Sequence, residues 1–194
     1  MTDPELDRRA MLALAGAGAT GVLSGCGWRR GTVDWEAAET TTDSFESGWP
    51  DSWLTDGVAN RTDGDGRALL EAGTDMYPAS QRALAVRPDR RAVDARVQAT
   101  VTDSGIGPGV VARWTGPHQA YAAVLDAANG SFDLLVLDGL DERVLASRPV
   151  GLPAGEPTLE LAAVGTEPTT LHGALHAGTG GTLATVSATD ETGP

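Results

Sequence analysis

The chain has 194 residues, 27 of them acidic and 14 basic, and every basic residue is an arginine because lysine is absent. A formal net charge of −13 repels a polyanion, which excludes nucleic-acid binding as a main role. The single cysteine excludes an internal disulfide, and a chain of this length can bury the core of one domain without one.

At the N-terminus, Arg8 and Arg9 stand directly before an apolar run, Ala10 to Val22, rich in Ala, Gly and Leu. An apolar stretch of about 7–15 residues suits the hydrophobic region of an export signal and is too short to span a bilayer. Paired arginines before such a run resemble a twin-arginine signal, which exports proteins already folded. The match covers Asp7-Arg8-Arg9-Ala10-Met11-Leu12; it has no Phe or Lys, and Asp3, Glu5 and Asp7 make the leading segment acidic.

Leu23-Ser24-Gly25-Cys26 then matches a lipoprotein lipobox at every position. Small residues before the cysteine let a peptidase hold the chain extended, and the thiol becomes the attachment point for lipid. The alternative is an ordinary buried cysteine, which its place at the end of an apolar run disfavours. The expectation is a signal over 1–25, a lipid on Cys26, and a protein held on the outer face of the cell membrane. One acyl chain binds a membrane marginally and two anchor it, at about 0.8 kcal/mol per buried CH2. Residues 1–25 hold three of the acids and two of the arginines, so the mature chain keeps 24 and 12, a net charge of −12.

Residues 26–42 read as the lipidated cysteine and a polar spacer, and 43–194 as one domain. Short apolar runs predict strands near 54–61, 67–72, 82–87, 92–102, 108–115, 119–127, 131–138, 142–149, 157–165, 169–177 and 181–188. Between them lie turn signals such as Asp63-Gly64-Asp65-Gly66, Asp103-Ser104-Gly105, Ala128-Asn129-Gly130, Asp138-Gly139 and Gly178-Thr179-Gly180-Gly181. Many short strands with no helical period predict an all-β antiparallel sandwich or jelly roll. Ala95, Val97, Ala99 and Val101 fall on one face of their strand, with Asp94, Arg96, Gln98 and Thr100 on the other. Phe132, Leu134 and Val136 alternate with Leu135 and Leu137, so that strand is expected to be central or covered on both faces.

The order of these segments runs from Asp43-Ser44-Phe45 and Trp53-Leu54-Thr55-Asp56-Gly57-Val58 through Arg67-Ala68-Leu69-Leu70 and Val93–Val101. Gly109-Val110-Val111-Ala112-Arg113-Trp114, Gln119-Ala120-Tyr121-Ala122-Ala123-Val124, Phe132–Leu137 and Arg143-Val144-Leu145-Ala146-Ser147 follow. Over residues 43–188 it resembles the concanavalin A-like lectin/glucanase superfamily, in the laminin-G-like branch that includes 3-keto-disaccharide hydrolases. The resemblance implies a strand opening at Phe45 and a closing hairpin and strand after Asp190. The sequence stops at Asp190-Glu191-Thr192-Gly193-Pro194, which reads either as a shortened member or as a reading frame that ends early; if the closing strand is missing, the strand at Phe45 loses a neighbour and exposes an edge. The acidic, lysine-free, Ala/Gly/Asp/Thr-rich composition also resembles that of proteins from extremely halophilic archaea; a high-GC bacterium is the alternative. In molar salt the Debye length falls to roughly 3 Å, which screens the self-repulsion.

Catalytic glucanases of the superfamily carry two carboxylates on one strand, about 5–5.5 Å apart for retaining chemistry. No Glu-x-Asp-x-Glu pattern occurs here, so no catalytic residue is assigned. Asp138-Gly139-Leu140-Asp141-Glu142 reads as a solvated hairpin tip, and Asp63/Asp65 as a plain turn lacking the later ligands of a calcium loop. His172 and His176 share a face but lie far apart, and with no third ligand a zinc site is not expected; no cofactor is assigned. Sugar rings stack on aromatic faces, and Trp49, Trp53, Trp114, Tyr77 and Tyr121 are available. Trp114 and Tyr121 flank a hairpin, with Arg113 and His118 close by, and form the candidate ligand rim; core packing of both aromatics is the competing reading. Asn60-Arg61-Thr62 and Asn129-Gly130-Ser131 are N-glycosylation motifs at predicted turns. Three functions follow as expectations: a membrane-anchored module binding glycan or another extracellular ligand, a 3-keto-disaccharide-type hydrolase, or an adhesion domain with no small ligand.

Overall fold

The structure is a computed structural model that describes residues 11–14, 39–43, 45–56, 58–62, 68–72, 84–90, 92–101, 107–116, 119–139 and 141–194. Among the described residues thirteen strands run β1 Met11–Leu14, β2 Leu54–Asp56, β3 Val58–Thr62, β4 Ala68–Ala72, β5 Leu84–Val86, β6 Ala95–Thr100 and β7 Gly109–Gly116. They continue with β8 Gln119–Asp126, β9 Ser131–Asp138, β10 Asp141–Pro149, β11 Thr158–Val164, β12 Thr169–His176 and β13 Thr182–Asp190. Two four-stranded antiparallel sheets, ordered β10-β9-β8-β7 and β13-β12-β11-β6, pack face to face. The protein is an all-β sandwich, as the strand pattern predicts.

The core follows from alternation. One sheet contributes Val110, Ala112, Tyr121, Ala123, Leu125, Phe132, Leu134 and Val136. The other contributes Ala99, Leu159, Leu161, Ala163, Leu171, Leu175, Ala184 and Val186, with Val101 just beyond β6. Fully burying each Leu, Val or Phe stabilises the fold by about 1.5–3 kcal/mol. Gly173 sits between Leu171 and Leu175 on the inner face of β12. A Cβ there would come within 3.0 Å of Val186, 3.1 Å of Leu134 and 3.2 Å of Phe132, so the missing side chain is what lets the sheets close. β9 is an interior strand and is buried on both faces, because Leu135 and Leu137 join Ala120 and Ala122 in a second apolar cluster on the outer side of its sheet.

Three expectations are corrected. The strand foreseen over 54–61 is two, since β2 pairs with β5 whereas β3 pairs with β4. Phe45 opens no strand: it lies in a turn at φ 56° and is buried against Trp49 and Trp53, with ring centroids 5.0 and 5.4 Å away. Asn60-Arg61-Thr62 lies inside β3 rather than at a turn, with Asn60 opposite Leu70. β1, within the segment read as the export signal, pairs antiparallel with β4.

Candidate functional site

The polar outer face of the β13-β12-β11-β6 sheet holds one buried carboxylate. Alternation sends Leu159 and Leu161 into the core and Glu160 outward between Gln98 on β6 and Ala174 on β12. One step along, Ala162 lies between Arg96 and His172; one step back, Thr158 lies between Thr100 and His176. The small floor residues Ala162 and Ala174 leave a low strip between longer polar neighbours.

Glu160 is only 8% exposed at its side chain, and its Oε2 accepts from the Arg96 guanidinium at 2.7 Å. A buried carboxylate needs such a partner. His176 lies beside it, with Nε2 4.0 Å from the same oxygen and Nδ1 3.2 Å from the Thr182 hydroxyl. His176 Nε2 is buried and makes no hydrogen bond. His172 bonds the Ser187 hydroxyl through Nδ1 at 2.9 Å, and burial holds its pKa below the ordinary histidine value, which keeps it neutral at pH 7. The face therefore offers a neutralised carboxylate, imidazoles, hydroxyls and an amide, all hydrogen-bonding groups. Among the described strand residues of this face Glu160 is the single acid, and none is Trp, Tyr or Phe. Sequence alternation does place Glu160 outward; its burial depends on Arg96, 64 residues away, which no local pattern reveals.

Of the rim foreseen from Arg113, Trp114, His118 and Tyr121, the three described residues, Arg113, Trp114 and Tyr121, do not come together. Tyr121 is fully buried between the sheets, and its hydroxyl donates to Asp190 Oδ2 at 2.9 Å. Trp114 is half-buried on the opposite side of the sheet, against the outer apolar cluster. The cause is a bulge in the β7–β8 pairing: Ala112 faces Tyr121, and the register resumes only at Gly116 opposite Gln119. Bulges re-aim side chains, and Arg113 occupies this one at φ 54°. Its guanidinium turns inward, donating to the Thr169 hydroxyl at 2.7 Å and to the carbonyl oxygens of Val93 and Gly165. Burial lowers its pKa, yet it stays a cation tied to the backbone and its Nε has no partner. His118, Cys26, Arg8, Arg9, Tyr77, Asp63 and Asp65 lie outside the described residues.

Asp190, Arg143 and Thr169 escaped the sequence reading. Asp190 accepts from Tyr121, from Arg143 at 2.8 Å and from the Thr192 hydroxyl at 3.0 Å. Burial alone raises the Asp190 pKa, but these three donors more than offset it and hold the group below the usual aspartate value. Burial likewise raises the Tyr121 hydroxyl, so it remains a neutral donor. The network ties the two sheets at one end of the sandwich.

Two further groups are settled by their partners. Trp49 and Trp53 pack edge-on at 5.9 Å around Phe45, and Asp43 accepts from Trp53 Nε1 at 3.2 Å and from Arg87 at 2.8 Å. Asp138, Asp141 and Glu142 are exposed at the β9–β10 turn, where Asp138 accepts from Gln119 at 3.1 Å. Among the described residues no three His, Cys, Asp or Glu side chains are grouped to hold a metal ion, and no helix is long and apolar enough to cross a membrane. No family model, curated protein or solved structure matches the chain.

Proposed function

We propose that the protein is a surface lipoprotein, exported behind its arginine-paired signal and held on the outer face of the membrane by a lipid on Cys26. Its sandwich, of concanavalin A-like and laminin-G-like kind, binds a glycan or another hydroxyl-rich extracellular ligand without turning it over. The acidic, lysine-free composition supports a high-salt habitat.

The observation that carries the binding reading is the Glu160 strip, a buried carboxylate already balanced by Arg96 and flanked by donors and acceptors on neighbouring strands. Such groups orient polyols by hydrogen bonds; with no aromatic side chain among the described strand residues of that face, recognition would not use ring stacking. The hydrolase reading is weaker, because two-carboxylate chemistry needs a second acid within about 5–10 Å of the first, and Glu160 is the single acid among the described strand residues of this face. A glycan array probed with the folded protein in molar KCl tests the reading. Binding that Glu160→Gln abolishes supports it; a folded protein that binds nothing leaves the adhesion reading in its place.

A further inference from the structure

Two N-glycosylation motifs occur in the chain, and the fold treats them differently. Asn129 and Gly130 lie at the tip of the β8–β9 hairpin, where residues 127–130 make the turn and Asn129 is exposed, and Ser131 opens β9. Asp126 shapes that tip: its Oδ1 accepts from the Asn129 backbone amide at 2.9 Å and its Oδ2 from Asn129 Nδ2 at 2.7 Å. An aspartate that bonds the chain ahead of it in this way fixes a turn. The Nδ2 amide carries two hydrogens, and the Asp126 bond uses one of them. Below the tip, Val150 donates to the Gly130 carbonyl at 2.8 Å, and Gly130 takes φ 63°. The hairpin base is thus pinned while the asparagine projects from it. The Ser131 hydroxyl, two residues on, is held by Asp133 at 2.8 Å. Asn60-Arg61-Thr62, by contrast, lies along β3 with all three residues paired to β4, opposite Leu70, Leu69 and Ala68. To enter a transferase it would have to leave the ladder.

We infer that Asn129 is an acceptor for an N-linked glycan and that Asn60 is not. The inference rests on the export reading, since such transfer acts on chains delivered outside the cytoplasm. It gains weight from the twin-arginine route: a chain exported folded must present its acceptor on the finished surface, and the hairpin tip does so. The donor is a lipid-carried sugar phosphate. Asn129 Nδ2 bonds to the anomeric carbon, the bond from that carbon to the phosphate oxygen breaks, and the amide loses one proton as the lipid phosphate departs. Nothing is oxidised or reduced. The glycan extends from the end of the sandwich at which β8 meets β9, clear of the hydrophobic core.

The full-length protein, recovered from membranes of its native host and cleaved after arginine, gives the test. The fragment Trp114–Arg143 contains Asn129 as its only asparagine, and Asn60 falls in Gly31–Arg61. The expected result is added sugar mass on Trp114–Arg143, lost in Asn129→Gln and in Ser131→Ala and kept in Asn60→Gln. Protease access on intact cells is scored in parallel. A protein on the outside whose Trp114–Arg143 fragment is bare, or carries only the mass change of deamidation, overturns the inference and leaves the export reading standing. Sugar on Gly31–Arg61 alone overturns the choice of site. A protein confined to the cytoplasm with a bare fragment overturns both.

Discussion

The Tyr121 hydroxyl donates to Asp190 Oδ2 at 2.9 Å, joining an interior strand of one sheet to the last residue of the edge strand of the other. Asp190 accepts three donors at once, while Tyr121 makes one bond to it. Replacing Tyr121 by Phe removes one bond and leaves Asp190 satisfied by Arg143 and Thr192, a cost of about 1 kcal/mol. Asp190→Ala takes the acceptor from the buried tyrosine hydroxyl, from Arg143 and from Thr192 together, and costs about 2–3 kcal/mol. Urea melts of the two variants check the order; equal costs would contradict the network.

Acid should act through the same aspartate. Its folded-state pKa lies below the ordinary aspartate value of about 4. Its contribution is therefore complete above that value and is lost as pH falls through the lowered folded pKa. Melting temperature measured from pH 7 to pH 3 at fixed salt is expected to fall below pH 4 more steeply for the native protein than for Asp190→Asn. Parallel curves would show that Asp190 is not responsible.

At the β7–β8 bulge, Arg113 combines a left-handed backbone with a buried clamp on Thr169, Val93 and Gly165. Arg113→Lys places a single ammonium where a planar fork reaches three acceptors, and costs about 1–3 kcal/mol. Arg113→Gly loses the clamp as Arg113→Ala does but relieves the backbone, so it is milder than Ala by about 1 kcal/mol. Thermal melts of the three variants give the ranking.

Gly173→Ala tests the closeness of the two sheets. The added methyl meets Val186, Leu134 and Phe132 at 3.0–3.2 Å. Overpacking of this kind costs about 1–3 kcal/mol, and at roughly 2–4 °C per kcal/mol the shift is easily read. An unchanged melting temperature would mean that the sheets pack less tightly there.

Strand positions were largely legible because period-two alternation is local: β6 and β9 sort their faces in the order the residues predict. Tyr121 was not legible. Its strand is apolar on both faces, from Ala120 through Val124, so the pattern cannot say which side meets the partner sheet. The bulge at Arg113 carries no glycine to announce it, and it decides that Trp114 and Tyr121 part company. The split at β2/β3 depends on which distant strand each half pairs with, again invisible locally. The alternation of Leu159 and Leu161 around Glu160 is local and turns it outward, whereas its burial depends on Arg96 on another strand.

The anchoring claim rests on Cys26, and one fractionation tests it most directly. Cells carrying the native gene or Cys26→Ser are separated into membrane and medium, and the protein is followed in each. Native protein is expected in the membrane fraction, digestible by protease on intact cells, and the Cys26→Ser protein in the medium. Cys26→Ser protein that stays in the membrane to the same extent as the native chain would contradict the anchoring claim.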